Sequence, residues 1–297
     1  MIVENKQIKI RFPVSFAFYP KTFTVTVVLY VLLFMLIYAI IRKMLAEVIM
    51  QKILGYMRKA IQEYGLISDG DRILVGVSGG KDSLVLLQGL HLLRRFIGID
   101  YEVVGVTLDM GFTNAKSDFS PVAELCEKQG IEYHVIKTQI AEIVFDVRKE
   151  PNPCSLCARM RRGALHDAAN DLNCNKVALG HNYDDAVETF IMNLFTEGRI
   201  GCFAPSTYLT HKKVTVIRPL VLAPEKEIRR AARKNELPIV KSVCPADGHT
   251  NRERTKQFLA DMEHNDHGFK DRLFGAMKRA NVDGWGGINW TPPKKKD

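Results

Sequence analysis

The chain has 297 residues, a formal net charge of +9, 46 % apolar and 25 % charged side chains. That is enough material for one large domain with appendages and argues against intrinsic disorder, while the cationic surplus suits nucleic acid or an anionic surface without identifying either. Six cysteines, Cys126, Cys154, Cys157, Cys174, Cys202 and Cys244, are too sparse for a disulfide scaffold.

The first feature along the chain is an uncharged, mostly apolar run over 22–41, flanked by Lys21 and by Arg42 and Lys43. Its length matches the ~20 residues that cross a bilayer as a helix, and Lys52, Arg58 and Lys59 would favour the C-terminal side as cytoplasmic. A cleaved signal peptide fits badly, because no small-residue site follows the run. The competing reading is that translation starts at Met44 or Met50, so that 1–49 is no part of the natural protein. From Met50, Ile53, Tyr56, Met57, Ile61 and Tyr64 recur at helical spacing.

Strands and helices then alternate. Strands are expected at 72–77, 102–108, 132–136, 176–179 and 214–221, and helices at 82–96, 121–129, 159–172, 184–195 and 225–235. Such alternation predicts an α/β fold with an open parallel sheet and helices on both faces. Residues 281–297, rich in Gly, Pro and Lys, read as a tail. Three segments result: 1–49 as an extension, 50–240 as the main domain, and 241–297 as a helical and basic C-terminal part.

The strongest chemical signal is Gly76-Val-Ser-Gly-Gly-Lys-Asp-Ser-Leu84, a strand running through two glycines into a leucine-rich helix. Gly79 and Gly80 permit a tight turn with inward N–H groups, and the helix N-terminus adds partial positive charge. Lys81 supplies a cation, Ser78 and Ser83 supply hydroxyls, and Asp82 or Ser83 is placed to cap the helix. The loop is shorter than a Walker loop. A second strand-to-helix turn, Gly180-His-Asn-Tyr-Asp-Asp185, repeats the arrangement. His181 and Asn182 are candidates to contact nucleotide; Asp184 and Asp185 are candidates for Mg²⁺ or the reacting base, or for simple helix-dipole complementarity. Asp109, ending the second strand, is a weaker candidate for the same crevice.

Cys154 and Cys157 form the one CxxC pair, next to Arg159, Arg161 and Arg162, whose charges would favour thiolate. Cys244 stands alone before a basic helical stretch holding Arg252, Arg254 and Lys256. The residues leave three options open: zinc recruiting Cys244 and His249, a dithiol redox pair, or an iron–sulfur cluster held by three cysteines.

The six-residue loop resembles the PP-loop of the ATP pyrophosphatase superfamily. With Pro153-Cys-Ser-Leu-Cys-Ala-Arg-Met-Arg-Arg-Gly163, the Gly-His-Asn-x-Asp-Asp turn, Val216-Ile-Arg-Pro-Leu220 and Cys244 in one order, residues 50–280 resemble the tRNA 2-thiocytidine synthetases. The resemblance implies that ATP is cleaved to AMP and pyrophosphate, that a cytidine of the anticodon loop is adenylated, and that sulfur replaces its C2 oxygen. It also implies a [4Fe–4S] cluster on Cys154, Cys157 and Cys244, a catalytic role for Asp185 and Lys81, and an active-site position for Arg161. The implied partners are tRNA, a sulfur donor such as a cysteine desulfurase or free sulfide, and a second copy in a homodimer. The setting is cytoplasmic, with a membrane involved only through 22–41. Two features depart from the family: Lys241 stands where the relatives carry a further cysteine, and the apolar run has no counterpart. The rivals are a PP-loop enzyme without sulfur chemistry, such as a lysidine synthetase or amidotransferase, a 2-thiouridine synthetase, and a membrane-tethered nucleotide-binding or redox module.

Overall fold

A computed structural model describes residues 21–112, 117–149, 153–241, 243, 244, 251–289 and 291, without the side chains of 21–29 and 251. By internal contacts the chain divides into Met1–Leu45 and Ala46–Asp297.

In the first unit, the described residues lie on the start of helix α1, Lys21–Tyr64. Apolar side chains from Tyr30 to Ile41 are exposed, Phe34 at 72 %. The run ends at Arg42 and Lys43. Among the described residues no helix is long and apolar enough to cross a membrane. The span expected over 22–41 is therefore not found, and the side chains of 22–29 lie outside the description.

The second unit is built on six strands: β1 Asp71–Gly76, β2 Tyr101–Asp109, β3 Glu132–Lys137, β4 Lys176–Ala178, β5 Ser206–Leu209 and β6 Val214–Ile217. Their order is β3-β2-β1-β4-β6-β5. Pairs β1–β2, β2–β3, β1–β4 and β4–β6 are parallel, whereas β5 runs antiparallel to β6 at the edge. The expected all-parallel sheet is thus mostly parallel. The strand expected over 214–221 stops at Ile217, because Pro219 has no N–H for a ladder and Val221 N–H closes a turn on the Arg218 carbonyl at 3.2 Å.

Strand alternation sorts the core into two layers. Ile73, Val75 and Val77 join Tyr101, Val103, Ala178 and Ile217 on one face, while Leu74, Val104, Val106, Val177 and Val214 occupy the other. Helix α4, Pro153–Asp171, covers the second face with Leu165, Ala168 and Ala169. It begins six residues before the expected Arg159, with Pro153 in its first turn, where proline's fixed φ suits a helix start. The first face carries α2 Lys81–Leu93, α5 Tyr183–Thr196, α6 Glu225–Lys234 and the buried side of α1, where Ile53, Met57, Ala60, Ile61 and Tyr64 recur at the anticipated spacing. Helix α3, Ser120–Gln129, contributes Val122 and Cys126 to the same layer.

Helices α7 Asn251–Asn265 and α8 Phe269–Arg279 complete the unit. The segment after them is not the solvated tail its composition suggested. Trp285 is fully buried, its Nε1–H donates to the Phe203 carbonyl at 2.8 Å, and Ile288 N–H donates to the Glu63 carbonyl at 3.0 Å. A large indole with a satisfied N–H anchors glycine-rich chain that hydropathy alone would place in water.

Candidate nucleotide site and thiol triad

Strand order reverses between β1 and β4: β2 and β3 lie to one side of β1, β4 and β6 to the other. A crevice opens at such a switch point, beyond the carboxyl ends of the strands. The two loops leaving these strands are the two motifs singled out in the sequence.

After β1, Ser78 N–H donates to Ser83 Oγ at 3.1 Å, the two hydroxyl oxygens stand 3.2 Å apart, and Ser83 Oγ–H donates to the Gly80 carbonyl at 2.9 Å. The serines thus brace the turn, and neither Asp82 nor Ser83 caps α2. Its N-cap is Gly80, with no side-chain cap bond, so the first-turn N–H groups form an anion cradle. Gly79 has φ +81°, and a Cβ there would meet Val240 Cβ at 2.8 Å. Val240 N–H donates to the Gly79 carbonyl at 3.0 Å, tying the loop to the segment that runs on to Cys244. Gly79→Ala is expected to lower stability by about 2 kcal/mol from left-handed backbone strain, with the clash in addition. It should also weaken ATP binding. An unchanged melting temperature and ATP titration would show that the loop tolerates a side chain.

The β4–α5 turn lies directly against this loop. A Cβ on Gly180 would stand 3.1 Å from both Asp82 C and Ser83 N. Asn182 and Asp185 form a reciprocal capping box, at 3.1 Å and 2.9 Å, and Asn182 Nδ2–H donates to Asp82 Oδ1 at 3.0 Å. Asn182 is buried and spent on these internal bonds. His181 is half-buried beside Phe203, with ring centroids 4.8 Å apart, and accepts from Arg218 Nε at 3.3 Å. Burial and then Arg218 hold its pKa down to about 3, so it stays neutral at working pH.

Lys81 Nζ sits between Asp82 at 2.8 Å and Glu225 at 3.0 Å. Burial disfavours its charge, but these partners outweigh burial and raise its pKa. Glu225 also takes Lys256 at 3.1 Å and Arg229 at 3.0 Å. Burial opposes ionisation of Glu225, yet Lys81, Lys256 and Arg229 bring its pKa down to about 2. Asp184 faces α6 and α8: it accepts from Glu225 N–H at 2.7 Å and Lys270 Nζ at 2.9 Å. Asp185 stands 3.6 Å from Arg252, and within the fields of Asp82 and Lys81. Burial raises its pKa, against the pull of the Asn182 N–H and Arg252. Of the two acids, Asp185 is the one presented to the loop. Asp109 ends β2, and its carboxylate closes a local turn by accepting from Gly111 N–H at 3.1 Å.

Sequence reasoning did not single out Glu188 or Glu225, and it placed Arg252 and Lys256 in a basic stretch suited to RNA rather than beside the nucleotide turn. Glu188 lies one turn after Asp185, buried, 3.7 Å from Arg252 Nε. Its place on the inward side of α5 was the one available sign. Burial, and next Asp185, push its pKa up to about 7 despite Arg252 and Lys256. A carboxyl whose folded pKa is raised favours the fold below its unfolded value of 4.5. That contribution is lost as pH rises through the folded value near 7. Glu188→Gln should therefore gain about 1–3 kcal/mol relative to the parent between pH 5 and pH 8. Parallel melting curves at the two pH values would refute this.

Cys154 is exposed at the first turn of α4; Cys157 and Cys244 are half-buried. Burial pushes the Cys157 thiol up, Arg161 pulls it down, and Cys244 and Cys154 push it up again. Burial thus outweighs the thiolate-favouring field expected at Cys157. The same couplings bring the CxxC pair, the distant Cys244 and Arg161 into one electrostatic neighbourhood. Among the described residues no three His, Cys, Asp or Glu side chains stand close enough to clasp one ion, and His249 lies outside them. Zinc draws its sulfurs to within about 2.3 Å of one centre. A cubane attaches each thiolate to a different iron, and the coupling of Cys157 with Cys154 and Cys244 puts the three thiols in one neighbourhood. Cys126, Cys174 and Cys202 are core residues; burial drives Cys126 to about 11 and Cys202 to about 12.

The PP-loop domain family matches residues 47–262. The tRNA-cytidine(32) 2-sulfurtransferase of Geobacter sulfurreducens is 41 % identical over 230 residues, covering 76 % of this chain and 89 % of the relative. That of Citrifermentans bemidjiense is 38 % identical over 242 residues, covering 80 % and 94 %. Among solved structures, the U34-tRNA thiolase NcsA from Methanococcus maripaludis with its [4Fe–4S] cluster aligns at a TM-score of 0.65 and 26 % identity, over 79 % of each chain. With the phosphate cradle and its partner turn meeting at the switch point, and with identity sustained over most of both chains, the protein belongs to the PP-loop family, in the branch of its tRNA-cytidine(32) 2-sulfurtransferase relatives.

Proposed function

We propose that the chain is an ATP-dependent tRNA sulfurtransferase that adenylates cytidine 32 of the anticodon loop and replaces its C2 oxygen with sulfur. The observation carrying this reading is the contact of the Ser78–Ser83 cradle with the Gly180–Asp185 turn, in a chain where Cys154 and Cys244 both act on Cys157. The relatives' names supply the base and its position.

The β- and γ-phosphates of ATP take the α2 N-terminus, and Lys81 leaves Asp82 and Glu225 to neutralise them. Glu225 keeps Lys256 and Arg229, so the exchange does not strand a buried carboxylate. The cytosine O2 attacks the α-phosphorus, pyrophosphate departs, and Lys81 stabilises its growing charge. Asp185 would hold the Mg²⁺ that arrives with ATP, and the ion would supply positive charge to the phosphates. Sulfide then adds at C2 and AMP leaves, carrying the original oxygen; sulfide is already fully reduced, so no electron donor is needed. Asp185, raised in pKa by burial and steered by Arg252, is placed to take up the proton that sulfide sheds. Cys154, Cys157 and Cys244 would hold a [4Fe–4S] cluster, which supplies an iron position for incoming sulfur, with Arg161 balancing the thiolate charge. Free sulfide supplies the sulfur directly, whereas sulfur from a cysteine desulfurase arrives as a persulfide and must first be reduced to sulfide by two electrons from an external thiol, which ends as a disulfide; the enzyme works in the cytoplasm as a homodimer, and the catalytic part is 50–240 completed by Cys244 from 241–297.

The test is anaerobic incubation of the iron-loaded protein with ATP, sulfide and a tRNA bearing C32, followed by nucleoside analysis. The expected product is 2-thiocytidine together with AMP, and neither from a U32 transcript. Pyrophosphate release with no sulfur in the RNA would place the chain among PP-loop enzymes of other chemistry.

A further inference from the structure

On the sheet face covered by α4, a cleft of about 400 Å³ lies between that helix and the β5–β6 hairpin. Arg159, Arg162 and His166 line it from α4, at positions that share one side of a helix. Tyr208, His211 and Lys212 line it from the hairpin. No carboxylate lines it; the adjacent Asp167 pairs with Lys212. Arg159 and Arg162 are exposed, and the Tyr208 side chain is 61 % exposed beside them. Arg162 lies close enough to His181, on the nucleotide-side turn, to act on its charge, as it does on His166. Three basic side chains nearer the loop are already paired: Arg229 and Lys256 with Glu225, and Arg252 with Asp185 and Glu188.

We propose that this cleft is the docking track for single-stranded RNA of the substrate tRNA: Arg159, Arg162 and Lys212 hold successive phosphates, and Tyr208 stacks on an unpaired base. The proposal rests on the tRNA reading above and adds to it the surface that holds the RNA. Exposed cations along a groove and an exposed aromatic ring beside them are the two components of single-strand recognition: backbone neutralisation and a stacking platform. A flat membrane surface would leave the groove and the ring without a role.

The experiment titrates the full-length protein with a C32 tRNA transcript at several salt concentrations, comparing the parent with Arg159→Ala/Lys212→Ala, Tyr208→Ala and Tyr208→Phe. Removing two phosphate contacts should weaken binding about tenfold or more at low salt and flatten the log–log salt slope by about 1.5. Tyr208→Ala should cost roughly tenfold, and Tyr208→Phe, which keeps the stacking face, should bind like the parent. Melting temperatures close to the parent's identify these as binding effects. If the variants keep the parent's affinity and slope, the track is wrong while the sulfurtransferase reading stands. If the parent itself does not bind tRNA, both fall.

Discussion

Replacing Lys81 by alanine is expected to cut ATP- and tRNA-dependent AMP formation by about 10²–10³-fold, the usual cost of removing one preorganised charge from a transition state. The variant should fold. Lys81 is shared between Asp82 and Glu225, but Glu225 retains Lys256 and Arg229, and Asp82 retains the Asn182 amide. The loss should fall mainly on kcat, because the loop N–H groups still cradle the phosphates while the charge that grows on departing pyrophosphate loses its partner. Arginine should rescue poorly. Lys81 sits in a pocket sized for an ammonium between two carboxylates, and a planar guanidinium presents its donors differently. Measured as pyrophosphate release under saturating ATP, an unimpaired Lys81→Ala enzyme would remove the phosphate cradle from the mechanism altogether.

A second large effect should separate the two halves of the reaction. Cys157→Ser is expected to abolish stoichiometric iron and sulfide binding and to lower 2-thiocytidine formation at least 10²-fold, while tRNA-dependent pyrophosphate release persists. The reason is positional. Cys157 is coupled to both Cys154 and Cys244, whereas the Lys81 neighbourhood is built from α2 and α6. Cys244→Ala should behave likewise, and Cys174→Ala, a buried thiol in the core layer beneath α4, should not. An iron content unchanged in Cys157→Ser, or zinc bound at one equivalent in the parent, would dismiss the cluster.

Much of the site could be read along the chain because its two halves are local. A β-branched strand, two glycines and a leucine-rich helix specify the cradle in consecutive residues, and the Asn182–Asp185 capping box specifies the second turn in the same way. Helical spacing likewise anticipated the buried stripe of α1 from Ile53 to Tyr64. What local pattern missed depends on partners distant in sequence. Trp285 lies in glycine-rich chain of tail-like composition, and only its insertion beside Phe203, Tyr64 and Phe274 makes that chain core. The antiparallel β5 is short and half-exposed, so it carries no burial signal of its own.

The sequence by itself determined the chemistry carried in short motifs: an anion-binding turn, a paired-acid turn and a CxxC on a proline-started helix. Their residues are neighbours along the chain, and their conformations follow from glycine, capping and helix dipoles. Only the tertiary structure decided what those motifs are for one another. The reversal of strand order between β1 and β4 sets Gly180 against Asp82, the run to Cys244 is pinned to the loop through Val240, and α7 brings Arg252 and Lys256 onto Asp185, Glu188 and Glu225. These pairings join residues many positions apart, and no local periodicity encodes them; they arise when strand pairing and the burial of two apolar layers fix where each loop must emerge.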